Sequence, residues 1–553
     1  MRGADRLWVI NVGDIKPMEA PLNMAMDMAW NIDKFTPDKL LSYLEAYATR
    51  EFGVEHAMET AQLLLEFSHL NGLRRFEHVA PDTYSVVNYH EAERVLGRWK
   101  ALATRAKSVH DGLPAILKPA YYQLVYYPAA TGALLHEVVI GVGTNYRWAQ
   151  ERRNAANQLA HKVLALFDQS YDFQEDWNAM LGGKWDKMMS QAVYDAVPQQ
   201  PKLWANPSRD MLSNLSFVQL RQNMQYSQGN LGIYAEESIS PIQQARWAES
   251  VDFSMPTTNY PALLPVMDPY GPQIRHVDLF HRGDHRVPLV WTLGKVPEPW
   301  LSIQPQSGTL GGSRMDTRLN VTINWTMVPD GFNKTVEIGI RATPAEYPYF
   351  DLIRVPVIKT QVPKDFKGFP ETAGYISIEA PHYQASSKTD SHVHLEKIPY
   401  LGSRTESGSL AVRPFIEARR SKAAQSAWVD YNVYLFTDSQ STVATIYLTS
   451  GLETDPSNKM MYSLTLDGAP ANMTRVLRNY ISEPNIGDVP PNWKGQVMDQ
   501  VWTLKVSLGA VKSGKHVLRW AVNSPEVYLE KIVLDTHSGV KPSYLGPPET
   551  TYV

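Results

Sequence analysis

One change of rhythm constrains this chain more than any other feature. From about Thr36 to Ala192 apolar residues recur at helical spacing, and from His276 onward they alternate. Val95, Trp99, Leu102, Ala106 and Val109 step by 4, 3, 4 and 3, and Ala156, Leu159, Val163 and Leu166 repeat the pattern. That spacing buries one face of a helix. Trp502, Leu504, Val506 and Leu508 alternate with Thr503, Lys505 and Ser507, as do Tyr431, Val433 and Leu435. Alternation marks strands buried on one face. A chain of 553 residues also exceeds a single core, which stops growing near ~250–300 residues. A multidomain α+β protein follows, helical first and β afterwards.

The helical part, 31–195, opens at Thr36-Pro37, a cap residue followed by proline at the first helical position. Short polar connections between its helices predict a bundle. Residues 196–265, rich in Pro, Gln, Asn and Ser, read as an irregular connection. Turn signals at hairpin intervals predict two β-sandwiches, 266–368 and 369–553, with the break near Pro363–Pro370. Residues 1–30 hold the apolar run Leu7-Trp8-Val9-Ile10, which ends at Asn11-Val12-Gly13-Asp14. It predicts a buried parallel-type strand running into a loop.

Charge narrows the partners. Lys and Arg number 53 against 57 Asp and Glu, a net −4, so nothing draws the chain to nucleic acid or anionic lipid. The absence of cysteine removes disulfides, thiolate metal sites and cysteine nucleophiles. No run of ~18 apolar residues is evident, so no membrane span is expected. The opening residues lack a signal-type apolar core, which suits a cytosolic chain or a start upstream of Met1. Sequons at Asn214, Asn320, Asn324, Asn333 and Asn472 hint at secretion only weakly.

Signatures for nucleotide binding, zinc proteolysis and serine hydrolysis are missing from the sequence. His392-Val393-His394 is the only close His pair and, with no third ligand nearby, reads as a surface loop; no metal or cofactor is expected. Polar residues at the C-terminal end of a barrel strand point into an active-site mouth. Asn11, Asp14, Lys16 and Glu19 occupy that place and are the substrate-binding candidates; the plain alternative is that Asp14 and Lys16 pair in a turn before Pro17. Among the tryptophans, Trp428, Trp493 and Trp502 could stack on a sugar. Trp502 is in phase with Leu504 and reads as core, which leaves Trp493, in a loop beside Pro490, Pro491 and Gly495, as the surface candidate.

Several segments together resemble glycoside hydrolase family 115, the xylan α-1,2-glucuronidases. RLWVINVGDIKPMEAPLNMAMDMAWN is similar to the end of the family's barrel. YATREFGVEHAMETAQLL, PDTYSVVNYHEAERVLGRWKAL, YYQLVYYPAATGALLHEVVIG and LGGKWDKMMSQ resemble its helical part. LPVMDPYGPQIRHVDLFHRG, GYISIEAPHY and KIVLDTHSGVKPSYLGPPET resemble its β region and C-terminal domain, in the expected order. The resemblance implies that residues 1–30 are the last strand of a (β/α)8 barrel. It implies an inverting enzyme that removes (4-O-methyl)glucuronic acid from xylan, with no cofactor, a homodimer and, for the complete protein, an extracellular, fungal-like setting. Inversion needs two carboxyl groups ~6.5–9.5 Å apart. In the family they lie upstream of the segment matching residue 5, so no catalytic residue carries over and the chain is expected to be inactive. One departure stands out: GGKW is followed by Asp186-Lys187, where the family usually has a His two residues after the Trp. Two other readings stay open: a carbohydrate-binding or scaffold module, and a hydrolase with its carboxylates in the sandwiches.

Overall fold

A computed structural model describes residues 6–13, 15–189, 215–222, 230–238, 262–344, 350–387, 393–415, 427–451, 453, 459–477 and 493–553. Six helices come first: α1 Glu19–Trp30, α2 Leu40–Phe52, α3 Ala57–Leu73, α4 Glu91–Gly112, α5 Lys118–Gln150 and α6 Ala155–Gly183. The α4 stripe is buried as its spacing predicts. Trp99 lies at the centre of the helical core, stacked on His136 at 4.8 Å and edge-on to Phe67 at 5.9 Å. Glycine at 132 makes room for that ring, since a Cβ there would stand 2.4 Å from Trp99.

α5 departs from the membrane expectation. By length and composition it could cross a bilayer, the one such helix among the described residues, but 67% of its most apolar window is buried inside the protein. Packing against α4 and α6 accounts for its apolar character. A helix apolar all round is a core helix wherever other helices surround it.

The first β unit stacks two sheets. Strands β1 Leu231–Ala235, β2 Ala262–Leu263, β3 Ile274–His281, β4 Leu289–Leu293, β5 Leu301–Gln304, β6 Ser307–Leu310, β7 Asp316–Ile323, β8 Asn333–Thr343 and β9 Phe350–Ile358 form them. Their orders are β1-β3-β7-β5 and β2-β9-β8-β4-β6, over one apolar core. β1 and β2 arise inside the stretch that reads as irregular in sequence. All five residues of β1 are buried, so the alternation that would announce a strand is absent.

The chain passes to the second β unit between Ile358 and Phe369. Its strands are β10 Phe369–Pro370, β11 Tyr375–Glu379, β12 Ala385–Ser386, β13 His394–Ile398, β14 Ser409–Arg413, β15 Ala427–Leu435, β16 Ser439–Thr449, β17 Met461–Leu466, β18 Thr474–Arg475, β19 Val501–Val511, β20 Gly514–Val522 and β21 Leu529–Asp535. One sheet runs β10-β15-β20-β17-β18 and the other β13-β14-β21-β16-β19, with β12 and β11 attached to β15 and β21. Trp502, on β19, packs in the core between them, as its phase predicts.

After β21 the tail turns back across the molecule. Gly368 and Val553 exchange backbone hydrogen bonds, and Thr550 pairs with Ser377 on β11. Tyr544 and Leu545 enter the core of the helical region. There the buried Glu91 carboxylate, in the first turn of α4, accepts the amides of Ser85, Tyr544 and Leu545 at 2.7, 3.0 and 2.5 Å.

The opening segment does not form the expected strand. Leu7 and Val9 are 80% and 90% exposed, and no strand lies beside 7–10 among the described residues. A parallel strand exists only through its neighbours on the sheet, so an apolar run without them stays irregular.

Candidate functional site

Of the four residues expected at the mouth of a barrel, two meet. Lys16 Nζ lies 2.7 Å from Glu19 Oε1 and 5.0 Å from the ring centroid of Trp185. Trp185 is the tryptophan of the GGKW segment, which follows the break in α6 at Met180–Gly182. Asn11 is exposed and Asp14 lies outside the described residues, as do His392 and Asn214. Lys16 pairs with Glu19 one helical turn on; the alternative pairing with Asp14 lies outside the described residues. His394 begins β13 with its side chain largely exposed, in place of the predicted loop. Trp493 begins a short helix, α7 Trp493–Asp499, and not a loop. Among the described residues, Trp30 is 91% exposed. With Asn31, Lys34, Lys39 and Tyr43 it lines an open depression of about 410 Å³.

A more enclosed cavity, about 220 Å³, lies where the helical region meets the first sandwich. Its walls come from the start of α4, from α5 and α6, and from β1, β3 and β7. Tyr89 and His90 both take left-handed backbone angles, φ 58° and 50°, uncommon for residues with side chains. That turn sends His90 across the boundary, where its Nε2 lies 2.9 Å from Glu236 Oε2. On the other side of the ring, Nδ1 is 3.3 Å from Glu93 Oε2. Arg318 on β7 spans Glu93 at 2.9 Å and Asp278 at 2.8 Å. Behind them Arg153, fully buried, pairs with Glu151 and with Asp278, and its guanidinium lies 4.3 Å from the centroid of Phe280.

Burial penalises every charge in this network, but the partners prevail. Hydrogen bonds to Glu236 and Glu93 push His90 up to about 9. His90 and Arg318 hold Glu93 well below the usual carboxylate range. Glu236 is lowered by His90 and Arg275, Asp278 by Arg153 and Arg318, and Glu137 by Lys100 and Lys162. Such a cleft holds carboxylates ionised and has no raised carboxylic acid to give a proton. Sequence reasoning missed it because its parts come from positions 90, 236 and 276, each unremarkable among its own neighbours.

Among the described residues, two groups of three donors lie close enough to hold a cation. His90, Glu236 and His276 bring one atom each within 4.8 Å of one another, and so do Glu379, His382 and Glu549. The second group also has the order of a nucleophilic triad. Ser407 Oγ is 3.1 Å from His382 Nε2, and His382 Nδ1 is 2.8 Å from Glu549 Oε2. Acyl transfer further needs amide protons free for the oxyanion. The amides of Ser407 and Glu406 instead donate to Glu379, at 2.8 and 2.9 Å. The arrangement is a pin that fastens the tail to β11.

The hydrogen bond to Glu549 raises His382. Its contribution to stability is therefore complete below ~6.5, the unfolded value, and is lost as pH rises through the higher folded value. Hydrogen exchange at the tail amides, such as Thr550, is expected to quicken over that rise, beyond its intrinsic pH dependence. Glu549→Gln should remove the extra dependence; an unchanged profile in that variant would show that His382 is not the source.

Two family models match the sequence: "Glycosyl hydrolase family 115" over residues 1–78 and "Glycosyl hydrolase family 115 C-terminal domain" over 368–549. Both regions of this chain match glycosyl hydrolase family 115. A solved structure, titled a novel family GH115 4-O-methyl-alpha-glucuronidase, BtGH115A, with specificity for decorated arabinogalactans, superposes with a TM-score of 0.51 at 14% identity. The alignment covers 95% of this chain and 45% of that one, so this chain spans just under half of its relative. The helical region followed by β-sheet domains thus matches the fold of that structure. Smaller likenesses include the C-terminal CBM6 of LamC, a laminarinase from Zobellia galactanivorans (15% identity, 29% of this chain, 98% of that one, TM-score 0.17). Another is CBM6cm-2 from Cellvibrio mixtus lichenase 5A (15% identity, 29% and 95%, TM-score 0.18). Scores that low carry no argument. No curated protein matches.

Proposed function

We propose that this family 115 chain is the carboxy-terminal, non-catalytic portion of an inverting α-glucuronidase that removes (4-O-methyl)glucuronic acid side chains from xylan. The observation that carries the proposal is the pair of family matches, at 1–78 and 368–549, in the family's order. On this reading the complete enzyme is extracellular and dimeric and needs no cofactor. The helical region and the sandwiches shape the approach to a catalytic pair held elsewhere. Lys16 and Glu19 stand near that approach, and Trp30 offers a ring for a sugar face.

The electrostatics of the enclosed cavity do not support a general acid within it. General acid catalysis needs a carboxyl group that keeps its proton near the working pH, usually through a raised pKa. Glu93, Glu137, Glu236 and Asp278 are all shifted the other way. Uronic acid release by the purified chain, from glucuronoxylan and from a uronate-decorated arabinogalactan, tests both parts. No release from either polymer is expected, against clear release by an active family member. Release from xylan would place the catalytic carboxylates inside this chain; release from arabinogalactan alone would also overturn the polymer.

A further inference from the structure

We propose that His90, Glu236 and His276 form a site for a divalent transition-metal ion of the zinc class, which joins the helical region to the first sandwich. The inference does not depend on the glucuronidase reading. Two imidazoles and one carboxylate are the donor set such ions prefer, and magnesium or calcium would demand more oxygen.

The stronger argument lies in what holds each donor. Metal-binding histidines fix their second ring nitrogen on a carboxylate or carbonyl, and ligating carboxylates are themselves hydrogen-bonded. Here His90 Nδ1 faces Glu93 Oε2 at 3.3 Å, which leaves Nε2 as the donor. His276 Nδ1 lies 3.0 Å from Asn320 Oδ1, which again leaves Nε2. Glu236 Oε1 is bound by Arg275 Nη1 at 2.5 Å, while Oε2 faces His90 and accepts the backbone amide of His276 at 2.7 Å. One donor atom from each of the three residues lies within 4.8 Å of the others. The two rings meet edge to face, centroids 4.8 Å apart. The same residues line the 220 Å³ cavity, which has room for water as a fourth ligand.

Ligating imidazoles must be deprotonated, so zinc and protons would compete for the site. The left-handed turn at Tyr89 and His90 gains a purpose as well, because strain of this kind persists where the surroundings demand a side chain in one place.

Cobalt(II) added to the purified, tag-free chain tests the site directly. Visible absorption of four-coordinate cobalt is expected to saturate at one ion per chain and to disappear on addition of zinc chloride. His276→Ala should abolish the bands. Asn320→Ala, which leaves all three donors in place, should weaken affinity by about 10–100-fold through loss of ring orientation. Circular dichroism of each variant distinguishes a lost site from a lost fold, and Asn320→Ala, at an exposed position on β7, serves should His276→Ala fail to fold. Absence of cobalt bands in the folded parent chain would overturn the proposal. So would bands of unchanged affinity in His276→Ala and Asn320→Ala, since the ion would then sit elsewhere.

Discussion

Replacing Arg153 with alanine is expected to cost about 3–5 kcal/mol, the range for removing one partner of a buried ion pair. The side chain is fully buried, and its loss leaves Glu151 with Arg147 as its remaining ion-pair partner and Asp278 with Arg318. The guanidinium also packs against Phe280, Tyr234 and Trp148, so a hole opens among three rings. Arg153→Lys keeps the charge but not the fork that serves Glu151 and Asp278 together. Urea unfolding monitored by tryptophan fluorescence measures both variants. Arg153→Lys should recover only part of the loss, and a loss below ~1 kcal/mol in Arg153→Ala would show that the network relaxes around the gap.

Glu91→Ala is the second large effect, also about 3–5 kcal/mol. Each buried amide left without an acceptor costs ~1–3 kcal/mol, and this carboxylate serves three. Two of them, at Tyr544 and Leu545, belong to the tail, so the damage should appear far from α4. Glu91→Gln retains one acceptor oxygen and is expected to fall between the parent and alanine. Thermal unfolding orders the three, and limited proteolysis after residue 535 reports whether the tail has been released. Full loss of stability with the tail still protected would argue against this division of the energy.

Much of the architecture was legible because period reports burial. The α4 stripe from Val95 to Val109 and the alternation from Trp502 to Leu508 each depend on one element facing one core. β1 was illegible for the complementary reason: the facing sheet and the helical region cover its two faces, leaving five buried residues and no period. The run from Leu7 to Ile10 failed differently. Its composition suits a strand, but strand formation depends on neighbours, which composition does not describe. Lys16 and Glu19 stood out in sequence as polar residues after the apolar run, and their three-residue spacing lets them pair, whereas Trp185 reaches Lys16 only through the fold. His90, Glu236 and His276 have no local signature. Only the docking of two domains gives those positions a common centre.

The path of the tail carries a consequence for how the molecule is made. Leu545 and Tyr544 belong to the core that α3, α4 and α5 begin, yet they emerge from the ribosome roughly 400 residues after α5 ends. At ~5–20 residues per second that interval lasts on the order of 20–80 s. Throughout it the Glu91 carboxylate lacks two of its three amide donors, and the seat of Leu545 stands open to water. The helices are therefore exposed to chaperones and proteases until Leu545 has emerged. A frameshift or stop ahead of Tyr544 would act on the helical region as well as on the second β unit.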